Sequence, residues 1–127
     1  MVAMLALAAA GAARADDDEE LARRGEAAYR GHCVQCHGVN ADGRGPLAER
    51  FKPPPANLRA SVKTDDYKTK IITLGGKAMG RSEVMPAWGL ELTKNEIAAL
   101  VGYLRKVANE SAASKAPRSA ANGRPRG

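Results

Sequence analysis

Cys33-Val34-Gln35-Cys36-His37 is the stretch that decides how the rest of the chain is read. Two thiols one helical turn apart can each add to a vinyl group of one porphyrin, and the histidine that follows then lies under its iron. C-x-x-C-H is therefore an attachment sequence for a c-type haem. On this reading Cys33 and Cys36 become thioethers and His37 is the proximal iron ligand. Three other uses of the motif compete less well. A thioredoxin-type C-x-x-C follows a strand in a βαβ unit, whereas Gly25 to His32 read as helix. A structural zinc takes four ligands, and the only other histidine, His32, adjoins Cys33 and is badly placed to complete a tetrahedron. A plain disulfide between the two cysteines stays open in an exported chain.

Working outward, a helix is expected over Asp18 to Arg30, with acids first, Arg later and Gly31 as its end. Residues 38 to 60 hold Gly38, Gly43, Gly45, Pro46 and Pro53-Pro54-Pro55, which means loop and polyproline-like backbone. Thr64-Asp65-Asp66 opens a second helix through Tyr67, Ile71 and Leu74, stopped by Gly75-Gly76. Thr93-Lys94-Asn95-Glu96 is a capping box, and Ile97, Leu100, Val101 and Leu104 follow at helical spacing, so a third helix is expected to end near Val107 to Asn109. No strand alternation and no internal repeat is present.

The ends of the chain differ from its middle. Thirteen of the first 15 residues are apolar, and Ala13-Arg14-Ala15 precedes Asp16-Asp17-Asp18-Glu19-Glu20, which reads as a signal peptide over residues 1–15 with an A-x-A cleavage site. The run is shorter than the roughly 20 residues a spanning anchor needs. No Lys or Arg precedes it, so a longer, uncleaved and membrane-tethering segment is the alternative. Residues 16–110 are then the folded domain, and 111–127 form a basic tail with no apolar periodicity, expected to be disordered. The mature part has only 26 apolar side chains larger than Ala. So thin a core excludes a membrane protein and a large self-sufficient domain, and it points to a bound prosthetic group.

An iron held by one histidine needs a sixth ligand, and Met is the usual partner in electron-carrying cytochromes. Met85 stands before Pro86, which fixes an extended loop, and Trp88 follows three residues on. Met79, beside flexible Gly80, is the second choice. Together, Gly25-x-x-x-Tyr29-x-x-x-Cys33-x-x-Cys36-His37-Gly38, Gly43-x-Gly45-Pro46, Met85-Pro86-Ala87-Trp88 and Leu92-Thr93-x-x-Glu96-Ile97-x-x-Leu100-Val101-x-Tyr103-Leu104-Arg105 resemble a bacterial class I cytochrome c over about residues 19 to 108. The resemblance implies an all-α fold, three main short helices and long loops around one covalent haem c. It implies that the first and last helices cross at Gly25, with Tyr29, Leu100, Tyr103 and Leu104 packed there. It also implies that Pro46 or Gly45 offers a carbonyl to the Nδ1 hydrogen of His37, and that Asn57, Leu58, Leu47 and Trp88 line the haem crevice.

The function expected is one-electron transfer by an exported, periplasmic monohaem protein, a single-domain monomer that is not an enzyme. A haem subunit of a larger dehydrogenase or oxidase complex is the alternative. A ligand-binding haem protein would lack a suitably placed Met, and Met85-Pro86 argues against it. The chain carries 20 Lys and Arg against 14 Asp and Glu, for a net +6. Five of the acids sit in residues 16–20, leaving the body mildly basic. Redox protein partners with an acidic docking surface are therefore expected. Nucleic acid is not, because the basic tail has no interleaved aromatics, and no small-molecule substrate is expected either.

Overall fold

The computed structural model describes residues 6–116, with side chains over 16–116. Every regular element among them is helical: α1 (Ala6–His32), α2 (Val34–His37), α3 (Asp65–Ala78) and α4 (Lys94–Lys115), with 3-10 turns at Ala48–Arg50, Leu58–Ala60 and Trp88–Leu90. The all-α expectation holds. No helix among the described residues is long and apolar enough to cross a membrane.

Four helix boundaries differ from expectation. α1 begins at Ala6, inside the expected signal segment, rather than at Asp18, and α3 continues past Gly75-Gly76 to Ala78 across a kink. Gly31 does not end α1, which continues to His32. A helical glycine costs only about 1 kcal/mol relative to Ala, and the Cys33 N–H still reaches the Tyr29 carbonyl at 2.8 Å. At the other end α4 does not stop near Asn109 but runs to Lys115. Its last turns pack on the Leu58–Ala60 turn, and Ser111 is buried there although it is polar, so tertiary contact extends the helix beyond its apolar repeat. Residues 111–115, expected in a disordered tail, are thus helical, while residues 1–5 of the expected signal segment and 117–127 of the tail lie outside the described residues.

The expected caps form. Thr64 Oγ1 accepts from the Tyr67 N–H (3.2 Å) to start α3, which breaks at Gly75, φ +81°. At α4, Thr93 Oγ1 accepts from the Glu96 N–H (3.3 Å) while Glu96 Oε2 accepts from the Thr93 N–H (2.8 Å), a complete capping box.

The core sits where α1 crosses α4. An ideal Cβ on Gly25 would lie 2.1 Å from the Ala99 carbonyl oxygen and 2.8 Å from Tyr103 Cβ, so only glycine admits this approach. Tyr29 and Leu100 are fully buried beside it, and the Tyr29 and Tyr103 rings lie 5.4 Å apart, tilted. Ile72 from α3 and Leu92, Ile97, Val101 and Leu104 complete the cluster. Asp65 ties α3 to α4 by accepting from Arg105, and Lys68 stands 3.9 Å from the same carboxylate.

Candidate functional site

The C-x-x-C-H pentapeptide forms one further helical turn stacked on the end of α1. The His37 N–H donates to the Cys33 carbonyl (2.8 Å) and the Gly38 N–H to that of Val34 (2.9 Å). The buried Tyr29 hydroxyl then donates to the Gly38 carbonyl at 2.6 Å, so the α1–α4 crossing fixes the turn's far end. Burial raises the Tyr29 hydroxyl far above the ordinary tyrosine range. Both cysteines are free thiols, and burial, with Cys36 adding to it, pushes the Cys33 thiol up to about 12.

His37 is oriented by a backbone carbonyl, but not the one expected. Its Nδ1 lies 3.0 Å from the Ala56 oxygen; a carbonyl only accepts, so Nδ1 carries the hydrogen and Nε2 keeps its lone pair. Gly45 and Pro46 do not take that place: the Gly45 carbonyl accepts from the Ala48 N–H (2.9 Å). The Gly45 N–H donates to the Cys36 carbonyl (3.1 Å) and the Leu47 N–H to that of Gln35 (2.8 Å), so this stretch satisfies the orphan carbonyls at the end of α2. Pro53-Pro54-Pro55 delivers Ala56: each proline holds its predecessor extended, and Gly43 leaves room, since a Cβ there would meet the Pro55 oxygen at 2.6 Å. Burial lowers the pKa of His37, the bond to Ala56 opposing it, and a neutral imidazole is the form that binds metal.

Met85 is seated against the end of α3. The Gly76 N–H donates to its carbonyl (3.0 Å), and ideal Cβ atoms on Gly75 and Gly76 would meet the Met85 oxygen at 3.0 Å and the Ser82 oxygen at 2.0 Å. The glycine pair read as a helix stop is also the seat of the Met85 loop. Trp88 is held by His32, their rings 4.9 Å apart and edge to face. Cys33, Val34, Leu58, Met85 and Trp88 are half-buried side chains packed against one core cluster. Met79 is not part of it and instead caps α3. Asn57 is exposed and caps the Leu58–Ala60 turn, its Oδ1 accepting from the Arg59 and Ala60 N–H groups.

The donor set fits a c-type haem: two free thiols a helical turn apart, an imidazole whose tautomer presents Nε2, and a thioether on the same cluster. No group of three His, Cys, Asp or Glu side chains suited to a metal ion by itself occurs among the described residues. Ala56 and the Tyr29–Gly38 bond were not anticipated from the sequence. An alanine whose backbone does the work leaves no side-chain signal.

Comparison with known proteins supports the same chemistry. Residues 20–104 match the family described as cytochrome c oxidase, cbb3-type, subunit III. The chain is 30% identical over 90 residues to the cbb3-type cytochrome c oxidase subunit CcoP of Azospirillum brasilense, an alignment covering 71% of this chain and 30% of that protein. The chain thus spans under a third of that relative's length. No solved structure matches.

Proposed function

Because the chain belongs to the family of cbb3-type cytochrome c oxidase subunit III, a c-type cytochrome domain, we propose that it is an exported electron carrier binding one haem c through Cys33 and Cys36, with His37 and Met85 as axial ligands. The observation that carries this reading is the His37 Nδ1 to Ala56 contact at 3.0 Å, which directs Nε2 to the metal and raises its basicity. The haem supplies the one-electron couple. The protein's own residues hold it: thioethers fix position, Ala56 fixes the imidazole, and the Gly75-Gly76 seat fixes Met85. With both protein ligands to the iron supplied by His37 and Met85, no position would be left for a substrate, which would suit electron transfer without catalysis.

Cleavage after Ala15 would start α1 on Asp16-Asp17-Asp18-Glu19-Glu20, five acids at a helix N-terminus, where the dipole favours them. The basic body supports docking to an acidic face of a redox protein outside the cytoplasm. A second reading, a haem subunit inside an oxidase, is favoured by the family match itself. Native-scale purification separates the two: a free carrier elutes as a monomer, a subunit with its complex.

The ligand assignment is tested by the red-edge Met-to-iron absorption of the oxidised protein. Met85→Ala is expected to abolish the band and Met79→Ala to keep it. The reverse pattern refutes the assignment, and covalent haem retained by a Cys33→Ala/Cys36→Ala double variant refutes the attachment.

A further inference from the structure

Away from the thiols and ligands, a depression of about 340 Å³ lies where the end of α4 meets the loop after α2 and the Leu58–Ala60 turn. Three cations line it, Arg44 and Arg59 from the loops and Lys115 from α4, against one carboxylate, Asp42. None of the three forms an ion pair with another described residue, and Asp42 Oδ1 is engaged by the Arg44 N–H at 3.0 Å. Cations gathered on a concave wall repel one another, and a positive cleft raises the local concentration of anions. Asn57 also lines the depression, and since its Oδ1 already accepts from the Arg59 and Ala60 N–H groups (3.0 and 3.3 Å), its amide NH2 is the part free to donate. The Ser114 hydroxyl is spent on the Ser111 carbonyl (2.8 Å), so the arginines, Lys115 and Asn57 are the donors toward a ligand.

We propose that this depression is a binding site for a compact phosphate-type oxyanion, and that its occupation favours the oxidised protein. The guanidinium groups suit such a ligand because their paired N–H donors match two oxygens of one phosphate. The coupling follows from what the same loops do. The Gly43 N–H, between Asp42 and Arg44, donates to the His37 carbonyl (2.8 Å), and Ala56, next to Asn57, accepts from His37 Nδ1. An anion in the depression thus stands behind the backbone that cradles His37, and added negative charge there stabilises the state with one more positive charge. This second half rests on the haem reading; the binding half does not. By linkage, any preference of the anion for the oxidised form appears equally as a lowered reduction potential.

Calorimetric titration of the haem-loaded protein with inorganic phosphate, at an ionic strength held constant with chloride, tests both halves. One saturable site is expected, tighter in the oxidised than in the reduced protein. The Arg44→Gln/Arg59→Gln variant, checked for its fold by circular dichroism, is expected to bind about tenfold or more weakly, as loss of charge-assisted hydrogen bonds implies. Lys77→Gln, at an exposed lysine 3.5 Å from Glu83 and outside the depression, is expected to bind unchanged. ADP in place of phosphate separates the sources of the group: tighter binding assigns a nucleotide, equal or weaker binding the free ion. No saturable heat, or equal loss in the arginine and Lys77 variants, overturns the site. Equal affinity in the two redox states overturns the coupling. A preparation with no haem spectrum that still binds phosphate would instead count against the haem reading and leave the site standing.

Discussion

Gly25→Ala offers a test in which two well-founded effects have opposite signs. A methyl group at position 25 lies 2.1 Å from the Ala99 carbonyl oxygen, 2.7 Å from its carbon and 2.8 Å from Tyr103 Cβ, where ordinary contact begins near 3.4 Å. The obstacles are the backbone of α4 and a Cβ, which cannot swing aside, so α1 and α4 must separate by more than 1 Å. Overpacking of this kind costs about 1–3 kcal/mol, and a backbone obstacle places it at the upper end. Replacing glycine inside a helix returns about 1 kcal/mol through propensity. The net is a loss of about 2 kcal/mol, or a fall in Tm of about 8–16 °C for a domain of this size. Gly102→Ala supplies the control in α4: the nearest atom its Cβ would meet is Arg105 Nη2 at 3.9 Å, so propensity alone acts and stability rises by about 1 kcal/mol. Thermal unfolding of the haem-loaded variants by circular dichroism reads both. If Gly25→Ala melts at or above the parent protein, the close crossing of α1 and α4 is wrong.

Gly75→Ala meets a φ of +81° and the Met85 oxygen and Ala87 nitrogen at 3.0 Å. A loss of about 2 kcal/mol in urea unfolding and a weaker red-edge band are expected, against about 1 kcal/mol and an intact band for Gly80→Ala, which has positive φ but open surroundings; equal effects on the band would refute the seat. Tyr29→Phe removes the donor to the Gly38 carbonyl, which keeps the Ala41 N–H at 3.0 Å, so the cost is about 1 kcal/mol with an unchanged m value, and no loss at all would show the bond idle. The pKa of Glu96 is lowered from 4.5, first by the Thr93 N–H and then by its hydroxyl. A lowered folded pKa means stability that is full above the unfolded value and lost as pH falls through the folded one. Glu96→Gln should therefore show a shallower loss of stability than the parent on acidification below about pH 4.5, and parallel curves down to pH 3 would contradict this.

What could be read in advance was whatever the chain encodes locally. The thiol spacing of Cys33 and Cys36, the capping box of Thr93 and Glu96, the Thr64 cap and the break at Gly75 each lie within a few residues, and each forms. Gly25 was legible because the absence of a side chain is itself a signal. The acceptor for His37 was not, because any residue offers a carbonyl and the choice of Ala56 over Pro46 depends on how far the proline run carries the chain. The end of α4 escaped for a related reason: Ser111 belongs to no apolar repeat, and its burial is decided by the Leu58–Ala60 turn more than 50 residues earlier in the chain.

The two sides of the site consequently rest on different physics. His37 is held by a helical turn continuous with α1, by a fully buried tyrosine and by loops hydrogen-bonded to the carbonyls of Gln35, Cys36 and His37 at the end of α2. Met85 is held by one hydrogen bond to Gly76, by backbone contact with a glycine pair and by the half-buried Trp88 against His32. Its neighbours Val84 and Leu90 are largely exposed, Leu90 by 90%. Segments with few buried apolar contacts open at lower free energy than the core they rest on. The Met85 side is therefore the one that loosens first, while Cys33, Cys36 and His37 stay fixed to the α1–α4 crossing. On the proposed ligand set, a haem tethered at the stable side would keep its attachment while the looser loop sets the position of Met85.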